Sequence, residues 1–391
     1  MTLNIEKTQT TAPARIPRVA SLTDSFHEVN GAARTVREFA AYAQRQGYPF
    51  LSVRFGKEEF FEDNGPFRTM ELRRSPLGFR VDADMRFDLA FYRLHRKLED
   101  RLREFAPDII HVMGPGELGI MGALAGWRFR IPLTAAWHTN MHEYAARRLP
   151  FGGSFIRNGI QEFTLSQILR LYERGIVLFA PSPELVEMLR RRTGKPVMLM
   201  RRGVDSAAFS PQHRQRTDQT FVIGYVGRLM PEKGVRFFRT LEQYLEKAGA
   251  RDYRIFIAGW GSEERWLRAH LRRVEFQGIL DPVALGRAYA NMDVFVFPSR
   301  TDTFGNVVQE ALASSVPALV TGAGGPKTIV EHGVTGLVAS SDEELCSHVL
   351  RLMRNPEERM AMGAAGRARM LSRSWDDVFR GMYQAYSQAI G

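Results

Sequence analysis

The stretch DVFVFPSRTDTFGNVVQEALAS, residues 293–314, runs from one kind of local order into another. From Asp293 to Ser299 bulky apolar residues alternate, the pattern of a buried strand. From Gly305 onward the apolar residues recur at the 3.6-residue period of a helix. Asp302 to Asn306 is therefore a strand-to-helix turn. The first amides of such a helix point outward without partners, and with the helix dipole they make an anion site suited to a diphosphate. Asp302 precedes that site and Glu310 lies further along the helix. With phosphates over Phe304, Gly305 and Asn306, Asp302 would accept hydroxyls on one side of them and Glu310 on the other. A carboxylate can accept two hydroxyls at once, so each suits a sugar diol. The alternative is that Asp302 only complements the helix N-terminus and Glu310 sits on a solvated face.

The chain of 391 residues exceeds one ordinary core, and at about 150 residues per domain it calls for two or three. A hydrophobic content of 44% with 25% charged residues is ordinary for a globular protein and unlike a disordered one. The single cysteine, Cys346, excludes an internal disulfide and a cysteine-rich metal site, and is compatible with a reducing cytosol. The opening MTLNIEKTQTTAPARIPRVA lacks the apolar core of a signal peptide, and no stretch approaches the roughly 20 apolar residues of a membrane span. The expectation is a cytoplasmic protein, at most peripheral on the inner face of the membrane, with a loose polar tail over residues 1–15.

A net charge of +11 calls for an acidic partner, and arginine clusters at Arg73 and Arg74, Arg147 and Arg148, Arg190 to Arg192, and Arg201 and Arg202. No zinc-finger spacing or aromatic-interleaved basic ribonucleoprotein motif occurs, so no specific nucleic acid is expected as a partner. Anionic lipid is a candidate partner, because clustered basic residues contribute roughly 1 kcal/mol each near such a surface. A merely solvated basic surface is the alternative.

Short apolar runs alternate with helix-period segments through most of the chain. RVASL near Val19, DIIHVM at Asp108, PLTAAWH at Pro132, IVLFAPS at Ile176 and VMLM at Val197 read as strands, and GAARTVREFAAYAQRQG after Asn30 as a helix stopping at Gly47. The pattern restarts after the polar stretch SPQHRQRTDQT, residues 210–220. FVIGYVG, RIFIAGWG, VEFQG, DVFVFPS, PALVTG and TGLVAS are then six further strands. Such alternation means parallel sheets covered by helices, and the interruption means two of them. The fold class is α/β, with two Rossmann-like domains expected over residues 16–205 and 206–372. Ligands of open α/β sheets bind at the carboxyl ends of the strands, so the facing ends would form one cleft. The tail, residues 373–391, reads as an amphipathic helix with Trp375, Val378, Phe379, Met382, Tyr386 and Ile390 on its apolar face, and is expected to cross back to the first domain.

GYVGRLMPEKGV places Gly227, Arg228, Lys233 and Gly234 after a strand, with a helix expected to begin near Lys233. Two cations on one loop can bracket a diphosphate and stabilise the charge that grows on it as a sugar leaves. The spacing is neither a Walker A loop nor the dinucleotide glycine fingerprint, and a solvated basic loop is the alternative.

Arg228 and Lys233, then Asp302 and Glu310 around FGNVVQEA, then GAGGP from Gly322, resemble the retaining glycosyltransferases of family 4, which have the two-domain GT-B fold. RGVD at Arg202, TDSFHEVNGAAR around Asn30 and HTN at His138 resemble elements of the same family in the same order. The resemblance implies that Arg228 and Lys233 bind the nucleotide diphosphate, that Glu310 binds the ribose and that Asp302 contacts the transferred sugar. It further implies that Gly31 lies close to the phosphates in a mobile loop and that His138 sits beside the reacting carbon. Asp302 stands where the family more often has Glu, so a shifted sugar contact or a different sugar selectivity is implied. Gly278 ends VEFQG, and the loop after it would read the nucleobase through backbone groups, as in such relatives.

Several features carry a plainer reading beside the functional one. His138 ends an apolar strand, where a histidine can serve as a structural hydrogen-bonder, although the carboxyl end of a strand favours function. His138 and His142 are four apart, but Glu143 is misplaced for HExxH, and no metal is expected there. Asp82, Ala83 and Asp84 form a DxD triplet, yet it lies in a polar, Arg-rich region without a strand-to-helix switch, and metal binding is not expected. Gly259 and Gly261 of GWGSEE sit where backbone can approach a ligand, or in a plain turn.

The expected activity is transfer of a hexose with retention, metal-independent, from a nucleotide sugar to a glycan or lipid-linked acceptor in glycolipid or polysaccharide biosynthesis. QEALAS and GGPK look most similar to mannosyltransferases, which points to GDP-mannose before UDP-glucose or a related donor. No cofactor beyond the donor is expected, and no dedicated side-chain base is evident. The resemblance instead implies a front-face mechanism in which the leaving phosphate takes the acceptor proton. EYAARRLPFGGSFIRNGIQEF from Glu143 mixes arginine with apolar residues, as a lipid-facing segment or a lid would. A non-transferring GT-B enzyme and an idle anion- or membrane-binding module are the other classes considered.

Overall fold

The computed structural model describes residues 15–390 except 29, 77, 81–85 and 139–153. The tail over 1–14, the DxD triplet, Thr139 and Asn140 of HTN, His142, Glu143, Arg147 and Arg148 lie outside the described residues.

In chain order the strands are β1 Val19–Thr23, β2 Phe50–Gly56, β3 Phe60–Asn64, β4 Phe67–Arg73, β5 Phe79–Arg80, β6 Arg86–Phe87, β7 Ile109–Val112, β8 Leu133–Ala136, β9 Val177–Ala180 and β10 Val197–Leu199 in the first half. The second half has β11 Phe221–Val226, β12 Tyr253–Ala258, β13 Val274–Gly278, β14 Val294–Phe297, β15 Ala318–Thr321 and β16 Gly336–Ala339. The first sheet runs β10-β9-β8-β7-β1-β2-β4-β3, parallel except for β3, and the second runs β13-β12-β11-β14-β15-β16, parallel throughout. β7, β8, β9, β14 and β15 are buried at every position, because helices cover both faces of a parallel sheet and leave no polar side.

Both sheets are doubly wound. In each, chain order grows outward in both directions from a central strand, β1 or β11, apart from the antiparallel β3 outside β4, and reverses beside β7 or β14. That reversal leaves a crevice at the carboxyl ends of the central pair, where no connection covers the sheet. The loops that follow β1, β7, β11 and β14 carry residues 24–30, 113–116, 227–236 and 298–305. Sheet topology therefore delivers the stretch TDSFHEVNG to the crevice of the first sheet, and GYVGRLMPEKG and RTDTFG to that of the second.

β2, β3 and β4 were not among the strands read from the sequence. β3, FFEDN, is a largely exposed edge strand that has no apolar run to signal it. β2 and β4 interleave Ser52, Arg54, Thr69 and Glu71 with apolar residues and gain their burial from neighbours. The helix expected near Lys233 begins at Phe237. Pro231–Lys233 forms a single 3-10 turn, and Gly234 with φ +68° redirects the chain first.

The chain crosses between domains twice, side by side. Val204 N donates to the Arg373 carbonyl at 3.0 Å, and a Cβ on Gly203 would lie 2.4 Å from Trp375 N. Helix Trp375–Ile390 then packs on helix Gly31–Arg45 of the first domain. Phe379 stacks on Phe39 at 5.0 Å and on Trp375 at 5.5 Å, with Tyr383 and Tyr386 in the same cluster. Each such buried side chain contributes about 1.5–3 kcal/mol, enough to hold the helix against its ordering entropy. Among the described residues no helix is long and apolar enough to cross a membrane.

Candidate functional site

Helix Gly31–Arg45 starts from Asn30, whose side chain accepts from Ala33 N at 2.9 Å. Helix Asn306–Ala313 starts from Gly305, whose φ of +98° a side-chain-bearing residue would adopt only under strain. The two N-termini meet across the cleft, where a Cβ on Gly31 would stand 3.1 Å from Asn306 Nδ2. Each end carries a partial positive charge of about +0.5 and amides without helical partners, so together they form a convergent anion site.

The loop after β11 flanks this point. Lys233 Nζ donates to Asp302 Oδ1 at 2.6 Å, both side chains being mostly buried. Arg228 Nη2 lies 3.6 Å from Glu232, and its carbonyl accepts from the Tyr225 hydroxyl at 2.9 Å. Burial and the nearby Asp302 hold that hydroxyl well above its ordinary range. The second oxygen of Asp302 and Nδ2 of Asn306 are buried with no hydrogen-bond partner among the described residues. Polar atoms left bare inside a protein cost roughly 1–3 kcal/mol each, which a ligand bearing hydroxyls and phosphate oxygens would relieve.

Phe304 itself is buried in the core of the second domain, so it can offer only its backbone to a ligand. Gly227, Gly278 and Gly259 stand side by side at the ends of β11, β13 and β12: Gly227 N donates to Ala258 O at 3.0 Å and Gly259 N to Gly278 O at 2.7 Å. A Cβ on Gly259 would meet Gly227 O at 1.9 Å, and one on Gly261 would meet Leu229 O at 2.2 Å. Close packing between strand-end loops is thus reason enough for both glycines.

Glu310, buried inside its helix, is held at both oxygens. Tyr289 donates its hydroxyl to Oε2 at 2.8 Å, and Arg34 of the first domain donates to Oε1. The Arg34 guanidinium also lies over the Phe209 ring at 5.5 Å. A carboxylate has about four acceptor positions, so both partners leave room for hydroxyls.

His138 follows β8 and comes to the same cleft. Its carbonyl accepts from Thr303 Oγ1 at 2.8 Å, and its Nδ1 lies 2.8 Å from Arg202 Nη2. The carbonyl of Arg202 in turn accepts from Gln309 Nε2 at 3.1 Å. Burial, then the adjacent Arg202 and His111, hold the His138 imidazole well below the usual histidine range. His138, Gly31, Lys233, Asp302, Asn306 and Glu310 therefore gather along one cleft through contacts that join the two domains.

On the first-domain side, the loop after β1 begins in a buried acidic cluster. Asp24 accepts from Leu118 N at 2.8 Å, and Arg74 pairs with Glu117 at 2.8 Å. Burial pushes the Asp24 carboxyl up to about 7. Among the described residues no group of three or more His, Cys, Asp or Glu side chains is arranged to hold a metal ion.

Arg34, Arg202, Tyr289, Thr303 and Gln309 were assigned no role from the sequence. Arg34 and Arg202 lie inside the stretches TDSFHEVNGAAR and RGVD, so position in a motif was the available signal. Gln309 lies inside FGNVVQEA in the same way, and Thr303 inside RTDTFG, whereas Tyr289 has no local signal.

Two family models match the chain, Glycosyltransferase Family 4 over residues 29–208 and Glycosyl transferases group 1 over residues 220–355. A GDP-mannose-dependent alpha-mannosyltransferase of Mycolicibacterium smegmatis is 33% identical over 394 residues, covering 96% of this chain and 98% of that protein. A protein of the same name from Corynebacterium glutamicum is 28% identical, covering 95% of this chain and 89% of its own length. Among solved structures, sucrose-phosphate synthase from Thermosynechococcus elongatus superposes with a TM-score of 0.75 at 19% identity, covering 95% of this chain and 98% of its own. Anabaena HepE, solved with UDP and glucose, superposes with a TM-score of 0.71 at 18% identity, covering 95% and 100%. Those two likenesses show the GT-B fold.

Proposed function

The chain belongs to glycosyltransferase family 4, and we propose that this glycosyltransferase moves mannose from GDP-mannose to an acceptor hydroxyl with retention of configuration. The full-length similarity to GDP-mannose-dependent relatives supports the donor. The observation that carries the chemistry is the meeting of two helix N-termini with Arg228 and Lys233 beside them.

In this reading the diphosphate lies over the amides of Gly31 and of Phe304 to Asn306, with Arg228 and Lys233 on its oxygens. Glu310 takes the ribose hydroxyls, and Asp302 takes sugar hydroxyls through the oxygen that Lys233 leaves bare. The backbone beyond Gly227 and Gly278 borders the base. The bond from the sugar C1 to the phosphate oxygen breaks, the acceptor oxygen bonds to C1 on the same face, and the acceptor proton passes to the leaving phosphate. No protein base is needed, because the developing phosphate charge both drives and accepts that proton. Electrostatic stabilisation therefore falls on fixed groups that need no reorganisation during the reaction. The same cations and helix ends would neutralise the diphosphate without a resident metal or any cofactor.

The decisive assay offers GDP-mannose, UDP-glucose and UDP-galactose with a mixed glycolipid and oligosaccharide acceptor pool. GDP release from GDP-mannose at least about 100-fold faster than UDP release is expected, a preference within reach of a few lost hydrogen bonds in the base site. An α-linked product by proton NMR is expected. Preference for a UDP sugar, or a β-linked product, would overturn the reading.

One observation favours a lipid-borne acceptor. Leu89, Tyr92, Leu124 and Trp127 are exposed, Trp127 at 76%, and Tyr92 and Leu124 line one shallow groove between helices His95–Phe105 and Glu117–Phe129. Arg96, Lys97 and Arg128 are exposed on the same two helices. Lys97 pairs with Glu59 and Arg128 with Glu99, so the attraction to an anionic bilayer rests on the exposed aromatic and aliphatic side chains with Arg96 beside them. Flotation with vesicles of phosphatidylglycerol at low salt is expected to carry the protein, and Trp127→Ser to reduce the bound fraction several-fold. Absence of wild-type flotation would leave a soluble glycan as the acceptor.

A further inference from the structure

We propose that Arg202 is a positioning residue that holds His138 in its Nε2–H tautomer, so that His138 serves the cleft as a hydrogen-bond donor to an oxygen of the bound nucleotide sugar and not as a base. The identity of that ligand rests on the glycosyl-transfer reading above, whereas the tautomer rests on side-chain geometry alone.

A guanidinium carries donors only and keeps its charge in proteins. With Arg202 Nη2 at 2.8 Å, His138 Nδ1 must therefore present its lone pair. A neutral imidazole with a bare Nδ1 carries its proton on Nε2. The imidazolium is disfavoured twice, since it would turn an N–H toward an N–H and set two cations in contact. Among the described residues the charged or titratable groups that act on His138 are Arg202 and His111, and both oppose its protonation. His111 is itself held neutral, pushed down to about 3 by burial, with Nδ1 2.8 Å from Thr134 Oγ1.

His138 Nε2 is buried and has no partner among the described residues, so a donor stands ready where the loop carrying Asp302 meets the first domain. Arg202 belongs to the domain crossing, and its carbonyl is bound by Gln309, the neighbour of Glu310. The residue that sets the tautomer is thus fixed to the helix that bears the ribose-binding acid. Nε and Nη1 of Arg202 are also buried and unpartnered among the described residues, so the bond to His138 is the one its side chain makes there.

The test is a long-range proton–nitrogen correlation spectrum of protein labelled with 15N histidine, with the His138 signals identified by their loss in His138→Gln. The Nε2–H pattern is expected in the wild type and unchanged between pH 5.5 and 8. In Arg202→Met nothing fixes the Nδ1 lone pair, so an Nδ1–H fraction is expected beside Nε2–H, while burial still holds the imidazole below the usual histidine range. In that variant kcat should fall about 100-fold, the scale of one lost donor, with KM for GDP-mannose little changed. Arg202→Lys, which keeps a donor, is expected to recover most of the loss. An Nδ1–H or imidazolium pattern in the wild type would overturn the proposal, as would an Arg202→Met protein with unchanged spectrum and kcat. The wild-type spectrum needs no turnover, and its assignment needs only the folded His138→Gln variant. An intact Nε2–H pattern without GDP-mannose turnover would count against the mannosyl-transfer reading only.

Discussion

Lys233→Ala is expected to lower kcat about 1,000-fold, the upper end of what removal of one fixed electrostatic donor costs. Lys233 stands on the loop after the central strand β11, at the crevice where the second sheet reverses, and its Nζ already reaches Asp302 at 2.6 Å. As the bond from sugar to phosphate breaks, negative charge grows on the diphosphate, and a cation held in a mostly buried place stabilises that charge more than the ground state. The variant also strands Asp302, at a cost of about 1–3 kcal/mol in stability. The double variant Lys233→Ala with Asp302→Asn separates the two effects, since it should regain stability but not rate. Steady-state kinetics beside thermal unfolding would show this. A kcat within tenfold of wild type would mean that the diphosphate lies elsewhere.

Glu310→Ala is expected to remove most of the thermal stabilisation given by GDP. A ligand at 100 times its dissociation constant adds about 2.7 kcal/mol to the folded state. A ribose diol on a carboxylate makes two hydrogen bonds to a charged acceptor, each contributing about 1.5–3 kcal/mol. Loss of both would raise the dissociation constant by at least about 100-fold and leave at most about 0.4 kcal/mol of stabilisation at the same GDP concentration. The comparison is between shifts, so the lower baseline stability of the variant, which loses partners for Arg34 and Tyr289, does not enter. An undiminished shift would place the ribose away from Glu310.

Much of this site was legible in the chain because its parts are local. The turn from strand to helix at residues 293–314 is written in two apolar periods that meet at Asp302, and a helix read from Gly305 and carrying Glu310 follows from them; in the structure it starts at Asn306, with Gly305 before it. Five of the six strands of the second domain could be read in the same way, since parallel strands covered on both faces are short apolar runs, and the partly exposed edge strand β13 shows instead as the alternation VEFQG. β3 could not, because an exposed edge strand needs no apolar side chains, and β2 and β4 mix polar with apolar residues whose burial comes from neighbouring strands.

By itself, then, the sequence determined the α/β class, the two-sheet organisation and the loops and helices that bear Gly31, Lys233, Asp302 and Glu310, because strand and helix periods are set within a few consecutive residues. Only the tertiary structure decided which of those loops touch. Arg34 meets Glu310 from 276 positions away, and Thr303 meets the His138 carbonyl from 165. Lys233 pairs with the very acid expected to hold the sugar, and Arg202 decides which nitrogen of His138 carries the proton. Contacts of that kind depend on how two domains close on each other, and such long-range packing leaves no periodic trace in the residues that make it.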